Sequence, residues 1–160
     1  MDIRIKLYLE RSENEIRLAT VLRNLSNSDD KAKFGAEKND TFYSSAITHA
    51  YYAIFYAAKA LLLTRNINTE APEIHKKTFE SFKTEFVDSG ILDVQLFKIY
   101  KEMLIRADVL LGIFELEKRK RGTFTYKTLP QANLEPAIES IENGKTFIKH
   151  IKVVLEKLSK

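Results

Sequence analysis

The most apolar stretch of the chain, Thr41 to Leu63, most constrains what it can fold into. It reads TFYSSAITHAYYAIFYAAKALLL, whereas 30% of the whole chain is charged. At helical spacing its alanines fall on one line, which lets a neighbouring backbone approach closely while Phe and Tyr rings fill the wider gaps. The alanines of this seam are Ala46, Ala50, Ala53, Ala57 and Ala60. We expect a helix that is buried on most sides, at the centre of a bundle or in a subunit interface.

The composition narrows the classes of protein to which the chain can belong. Its 160 residues suffice for one domain with a substantial core, and we expect a single domain over residues 1–160. It has no cysteine, which excludes disulfides, thiolate zinc sites and cysteine nucleophiles. Its three histidines, His49, His75 and His150, fall in different predicted segments without metal-ligand spacing. We therefore expect no metal and no cofactor.

The opening residues and the charge indicate a cytoplasmic protein without membrane contact. The first 15 residues, MDIRIKLYLERSENE, have neither the apolar core of a signal peptide nor the character of a transit peptide. The apolar run from Tyr51 to Leu63 is interrupted by Lys59 and is shorter than the roughly 20 residues of a membrane span. The net charge of +4 is mild, so nucleic-acid binding would need a basic cluster such as Lys118-Arg119-Lys120-Arg121.

The N-terminal segment has helical periodicity between residues 3 and 25. The alternation from Ile3 to Leu9 would also fit a short strand, but no second strand candidate exists to pair with it, so a helix is preferred. Residues 26 to 40 are polar and predict a loop, after which Asp40 or Thr41 would cap the central helix. The apolar residues on one face are Ile5, Leu9, Ile16 and Ala19, with Leu18, Leu22 and Leu25 alongside.

Three further amphipathic segments predict three more helices. Pro72 suits the first turn of a helix that would run to about Ser89 and stop at Gly90. Asp93 would cap a fourth helix, and Pro136 would open the last one. The expected core positions are His75, Phe79, Phe82 and Phe86, then Phe97, Tyr100, Leu104, Ala107, Leu111 and Phe114, then Ala137, Ile141, Gly144, Ile148, Ile151, Leu155 and Leu158.

Together these patterns predict an all-α protein, an up-and-down bundle of four to five antiparallel helices. Apolar spacings near 3.5 residues favour nearly antiparallel packing, with crossing angles of about 20°. Gly144 would cost its helix about 1 kcal/mol relative to alanine, so we expect it to mark a close approach of two backbones.

Three segments together resemble the HEPN family of small prokaryotic helical proteins, in particular its stand-alone uncharacterised branch. They read SSAITHAYYAIFYAAKALLL, then HKKTFESFKTEFVDSG, then IRADVLL. The resemblance covers roughly residues 1 to 158, and its most specific part is S-x-x-x-H-A-Y-Y-A-x-F, from Ser45 to Phe55, followed by His75-Lys76. It implies a bundle of four or five helices that dimerises through helices and often pairs with a minimal nucleotidyltransferase in a toxin and antitoxin arrangement.

The resemblance also implies a motif by which ribonuclease activity can be judged. HEPN toxins that cut RNA carry an arginine, four to six residues and then a histidine, because an imidazole moves the 2′-hydroxyl proton and a guanidinium holds the phosphate. In this chain Phe124 stands at the histidine position after Arg119, and Tyr126 stands there after Arg121. A tyrosine, with a pKa of about 10, is a poor base at neutral pH. We therefore expect a non-catalytic protein that could still contact phosphate and bases.

Besides a plain scaffold whose only activity is to dimerise, two functions remain open from the sequence. The first is a homodimeric module that works with a nucleotidyltransferase partner or binds a nucleotide or RNA. The alternative is a metal-independent endoribonuclease that uses Arg119 or Arg121 with Tyr126 or His75 as the base. The candidate phosphate-binding and nucleic-acid-binding residues are Lys118, Arg119, Lys120, Arg121, His75 and Lys76.

Structural roles compete with these functional ones. The basic run from Lys118 to Arg121 also suits a solvated helix end, where cations complement the helix dipole. His75 lies on an apolar face, which favours a partly buried, hydrogen-bonded histidine. His49 is expected to pack or hydrogen-bond between helices, and His150 is expected to be exposed.

Overall fold

The computed structural model describes residues 1–111 and 133–160, which form five α-helices and contain no strand. A 3₁₀ turn, Lys31–Phe34, lies between the first two helices, and the third continues into a π-helical turn, Lys83–Val87. The all-α prediction is confirmed. The helices are α1 (Ile3–Ser26), α2 (Tyr43–Leu63), α3 (Ile74–Phe82), α4 (Val94–Leu111) and α5 (Leu134–Leu158).

Helix α2 is the centre of the bundle and packs against α1, α3, α4 and α5, most extensively against α1. All five alanines of its seam have no exposed surface, which confirms the predicted burial. By length and composition α2 could cross a membrane, but 83% of its most apolar 18-residue stretch is buried inside the protein. The apolar character of α2 is therefore accounted for by the helices that surround it.

Gly144 marks the close approach of α5 to its neighbours, as the sequence predicts. A Cβ atom at this position would lie 2.6 Å from Cδ1 of Ile16 on α1 and 3.5 Å from the carbonyl oxygen of Ala50 on α2. A methyl group here would have to displace the end of the Ile16 side chain but would meet the Ala50 carbonyl at an ordinary contact distance, so Gly144 marks the point where three helices come close together.

The predicted cap of α2 is wrong. The helix begins at Tyr43, and neither Asp40 nor Thr41 caps it, because the carboxylate of Asp40 instead accepts a hydrogen bond from the Glu37 amide at 2.7 Å. The free amide of Phe42 donates to Oγ of Ser26, the last residue of α1, at 2.7 Å. The hydroxyl of Ser26, from the preceding helix, thus provides the hydrogen-bond acceptor for the backbone amide just before α2.

The other helix ends agree with the sequence except at Pro72. The Asp93 carboxylate accepts from the Gln95 amide at 2.7 Å, as predicted. Asn66 adopts the left-handed conformation after α2, which asparagine tolerates. Helix α3 does not include Pro72, because Glu73 takes a left-handed conformation (φ 55°) and the helix begins only at Ile74. Three residues predicted on apolar faces are wrong as well, since Leu18 on α1 and Leu111 and Leu158 at helix ends are exposed by 37%, 41% and 46%. Phe114 lies outside the described residues.

Candidate functional site

The residues of the sequence motif assemble into one aromatic surface across α1, α2 and α3. Neighbouring rings lie 6.0 to 6.4 Å apart between centroids, and each ring is half-buried, so one part of it contacts the core and another faces solvent. We call this the ring surface; its members are Tyr8, His49, Tyr52, Tyr56 and His75. Four of the five come from α2 and α3, where the motif lies, and Tyr8 comes from α1.

On its side facing the core, His75 contacts two buried aromatic rings of α2. The hydroxyl oxygen of Tyr51 lies 2.8 Å from His75 Nδ1, and the Phe55 ring lies 4.5 Å from the imidazole between centroids. Burial and then the nearby charge of Lys59 hold the pKa of His75 below its ordinary value, so the neutral imidazole is favoured. The structure thus confirms a partly buried, hydrogen-bonded His75.

Tyr51 connects this histidine to the interior of the bundle. Its side chain is fully buried, and burial, then the neighbouring Tyr100, Tyr52 and Asp108, raises the pKa of its hydroxyl far above the ordinary range. The hydroxyl therefore keeps its proton at every physiological pH and acts as a hydrogen-bonding group. Burial likewise raises the pKa of Tyr100.

His49 is the second imidazole of the ring surface and bridges two helices. Its Nδ1 lies 2.5 Å from Oε2 of Glu15 on α1, and the side chains are exposed by 30% and 14%. This agrees with the predicted hydrogen bond between helices. Because Glu15 already occupies this nitrogen, His49 has a structural partner at the surface.

Cations lie at the edge of the ring surface and beneath it. The Arg11 guanidinium carbon lies 4.4 Å from the centroid of Tyr56, in cation–π geometry. Lys59 is buried beside Tyr8, and its ammonium donates to the Thr69 carbonyl at 2.8 Å. Lys76, next to His75 in the chain, is exposed. Arg11 and Lys76 are therefore the cations of this region that an anionic ligand could reach.

Most of the predicted phosphate-binding residues lie outside the described part of the chain. Lys118, Arg119, Lys120, Arg121 and Tyr126 fall between residues 111 and 133, and their predicted roles stay predictions. His75 and Lys76 lie at the start of α3, on or beside the ring surface.

The third histidine stands apart from the ring surface. His150 is exposed on α5, as predicted, and its Nδ1 contacts the carbonyl oxygen of Thr146 in the same helix. Within residues 1–111 and 133–160, no three His, Asp or Glu side chains are grouped closely enough to hold a metal ion.

Sequence reasoning missed the contribution of α1 to this site. Tyr8, Arg11 and Glu15 follow one another at helical spacing of three and four residues, which places them on one side of α1. They contact Tyr56 and His49 of α2. The spacing was visible in the sequence, but only the packing of α1 on α2 shows which rings they meet.

Two named proteins are similar in sequence to part of this chain. "Putative toxin MJ0142" of Methanocaldococcus jannaschii is 37% identical over 90 residues, which cover 55% of this chain and 59% of the relative. "Putative toxin MJ0605" of the same organism is 45% identical over 51 residues, 32% of this chain and 36% of the relative. The chain thus spans less than two thirds of the length of these two proteins.

A third relative matches more of its own length. The "UPF0332 protein" of Thermotoga maritima is 28% identical over 123 residues, 77% of this chain and 80% of the relative. The HEPN domain family matches residues 23–104, just over half of the chain, including α2, α3 and most of α4. By this match, and by the bundle into which the matched residues fold, the chain belongs to the HEPN domain family.

Proposed function

We propose that this protein is the HEPN component of a toxin–antitoxin-like system and that it binds RNA or a nucleotide without cutting it. In this proposal it is cytoplasmic, forms a homodimer and works with a minimal nucleotidyltransferase. Family membership and the toxin names of two relatives support the system to which it is assigned.

The ring surface is the observation that carries the binding proposal. Unpaired bases stack on half-exposed aromatic rings and on guanidinium planes, and each stacked base is worth about 1–3 kcal/mol. The ring surface offers Tyr52 and Tyr56 as adjacent rings, with the Arg11 guanidinium over Tyr56 and the exposed Lys76 next to His75 in the chain. A stacking surface with cations nearby suits single-stranded RNA better than a duplex, whose bases are already paired.

The phosphate contacts are assigned to the basic run from Lys118 to Arg121, which lies outside the described residues. Each basic side chain that neutralises a phosphate releases counterions, so binding through this run would weaken steeply as salt rises.

Three observations on the histidines support binding without cleavage. The sequence has no histidine at the expected distance after Arg119 or Arg121. His75, the remaining candidate base, would have to become an imidazolium when it takes a proton, and burial with the nearby Lys59 disfavours that charged form. His49 is engaged by Glu15.

The binding proposal is tested with a fluorescent single-stranded RNA in buffer that contains EDTA. We expect anisotropy to show binding that weakens about tenfold or more in Tyr52→Ala, as loss of one stacked base predicts. Phe34→Ala is the matched control, because Phe34 is 74% exposed in the loop before α2, away from the ring surface. Equal affinity of the two variants would remove the ring surface from the proposal.

The same samples test the basic run and the absence of cleavage. Arg119→Ala combined with Arg121→Ala should weaken binding and flatten its salt dependence; a salt response unchanged by these substitutions would exclude the run. The RNA should remain intact. Rapid cleavage that disappears in Arg121→Ala would overturn the non-catalytic proposal in favour of a metal-independent endoribonuclease.

The partner is tested by co-expression with a nucleotidyltransferase encoded next to this chain in its source genome. We expect the two proteins to purify together at a fixed ratio. Failure to associate would remove the partner from the proposal and would leave RNA binding as a separate question.

A further inference from the structure

The hydrogen bond between Tyr51 and His75 can form in two ways. The hydroxyl oxygen lies 2.8 Å from Nδ1, so one of the two atoms donates a proton to the other. If the hydroxyl donates, a neutral imidazole carries its own proton on Nε2, and Nε2 is a donor. If Nδ1 donates, Nε2 carries no proton and is an acceptor. The direction of this bond therefore determines what His75 offers to a ligand.

The buried surroundings of Tyr51 determine the direction. The side chain is fully buried, and within residues 1–111 and 133–160 its hydroxyl has one hydrogen-bond partner, which is His75. Tyr100 and Asp108 act on the charge of Tyr51 through space without a hydrogen bond to its hydroxyl. If Nδ1 were the donor, the hydroxyl proton would be left without an acceptor in the core, which is unfavourable. The hydroxyl therefore donates to Nδ1.

His75 is then a neutral imidazole with its proton on Nε2. Burial and the nearby charge of Lys59 lower its pKa, which disfavours the doubly protonated form. Nε2 has no partner in the part of the chain that the structure describes, and it is not among the buried polar atoms that lack one, so it reaches solvent. His75 thus presents a single N–H donor of fixed orientation at the ring surface.

The other imidazole of the ring surface is held in the opposite way. Nδ1 of His49 lies 2.5 Å from a carboxylate oxygen of Glu15. An ionised carboxylate only accepts hydrogen bonds, so His49 carries a proton on Nδ1. One histidine therefore contacts a donor through Nδ1 and the other an acceptor, which makes His49 an internal standard for measurements on His75.

We infer that the fixed N–H of His75 makes the ring surface prefer uracil to cytosine. This inference rests on the proposed binding of single-stranded RNA. His75 lies 6.0 Å from Tyr52 between ring centroids, so a base that stacks on Tyr52 lies beside the imidazole. At position 4 uracil has a carbonyl oxygen and cytosine an amino group. The two bases also differ at N3, but the group at position 4 projects beyond the ring and meets a neighbouring donor first.

A fixed donor distinguishes the two groups by their hydrogen bonding. The N–H of His75 can bond to the carbonyl oxygen, whereas against an amino group two donors face each other and each loses its bond to water. The ammonium of Lys59, buried beside Tyr8, adds a positive charge that favours the oxygen. One hydrogen bond of this kind corresponds to about a three- to tenfold difference in affinity. The same reasoning places guanine, with a carbonyl group, above adenine, with an amino group.

NMR of the free protein tests the tautomer. Long-range ¹H–¹⁵N spectra at about pH 7.5 should show the proton of His75 on Nε2, and Nδ1 of His49 should be protonated. Tyr51→Phe removes the donor to Nδ1, so the form of His75 with its proton on Nδ1 should appear, while His49 stays unchanged. A wild-type His75 protonated on Nδ1 would overturn the inference, whatever the protein binds.

The base preference is tested with fluorescent oligouridine and oligocytidine of equal length. We expect the wild type to bind oligouridine about three- to tenfold more tightly. His75→Phe keeps an aromatic ring but has no N–H, so this ratio of affinities should fall to the value set by stacking alone. Comparing ratios between proteins cancels the different stiffness of the two RNAs. Lys76→Ala is the matched control, because loss of the neighbouring charge should weaken both complexes by the same factor and leave the ratio unchanged.

A second variant and a second readout separate this inference from the proposed function. Tyr51→Phe retains His75 but releases its tautomer, so its ratio should fall between those of the wild type and His75→Phe; it decides the question if His75→Phe is unfolded by circular dichroism. An unchanged ratio in the folded variants would overturn the base preference while RNA binding stands. Absence of RNA binding by the wild type would overturn the proposed function and the preference with it, whereas the NMR spectra would still decide the tautomer.

Discussion

The hydroxyl of Tyr51 lies 2.8 Å from Nδ1 of His75, so a fully buried tyrosine of α2 fixes the first turn of α3. The raised pKa of Tyr51 and the lowered pKa of His75 both favour neutral forms. The pair is therefore a neutral hydrogen bond at physiological pH, and it sets the position of the one ring-surface member that α3 contributes.

The Tyr51–His75 hydrogen bond should contribute measurably to stability. We expect Tyr51→Phe to lower the free energy of unfolding in urea by about 1–3 kcal/mol, because it leaves a half-buried imidazole nitrogen without its partner. Tyr52→Phe is the matched control, since it removes a hydroxyl from the neighbouring half-buried ring. Equal losses in the two variants would show that the bond to His75 adds nothing.

Stability should fall as the pH drops below about 6.5 because of His75. Its folded-state pKa is lower than its ordinary value, so the unfolded chain binds protons first and acid favours unfolding. The loss begins as the pH falls through the unfolded-state pKa and levels off below the folded-state pKa. Urea denaturation at several pH values should show this slope, and His75→Gln should reduce it. A His75 pKa above 6.5 by NMR titration would contradict the prediction.

The alanine seam of α2 should not accept a larger side chain. Ala53 is fully buried, and its carbonyl oxygen accepts a hydrogen bond from Ser12 of α1 at 2.6 Å. Ala53→Leu should therefore destabilise the protein by about 1–3 kcal/mol through overpacking. The thermal midpoint measures this loss, with Ala32→Leu at an exposed position as the control. An unchanged midpoint for Ala53→Leu would mean that α1 and α2 do not pack as closely as described.

Gly144 and Ile16 should be energetically coupled. A methyl group at Gly144 gains about 1 kcal/mol of helix propensity but meets Ile16 Cδ1 at 2.6 Å. Ile16→Val removes that carbon, so Gly144→Ala should be more favourable by about 0.5–3 kcal/mol in the Ile16→Val protein than in the wild type. Four urea denaturation curves complete this double-mutant cycle. Additive effects would mean that α1 and α5 do not cross at this point.

Helical periodicity predicted the bundle because burial of an apolar face determines where most helix residues lie. The seam of α2 and the crossing at Gly144 both follow from the sizes of side chains at helical spacing. The cap of α2 could not be predicted in this way, because the amide of Phe42 is satisfied by Ser26, sixteen residues earlier in the chain.

The site was only partly predictable for a related reason. The motif identified His49, the tyrosines after it and His75, but the polar side of α1 reads in sequence as an ordinary solvated face. The contacts of Tyr8 and Arg11 with Tyr56 depend on the register between two helices, which periodicity within one helix does not specify. The basic run after α4 lies outside the described residues, so its predicted role stays a prediction.

The central position of α2 determines what hydrogen–deuterium exchange would report. Because α1, α3, α4 and α5 all pack against it, departure of any single helix leaves most of its backbone shielded from water. Deuterium should reach amides near Ile54 only when the entire protein opens. Deuterium uptake by a peptide fragment that contains Ile54 would then report the free energy of global unfolding without denaturant. The same measurement could be made in the presence of candidate ligands.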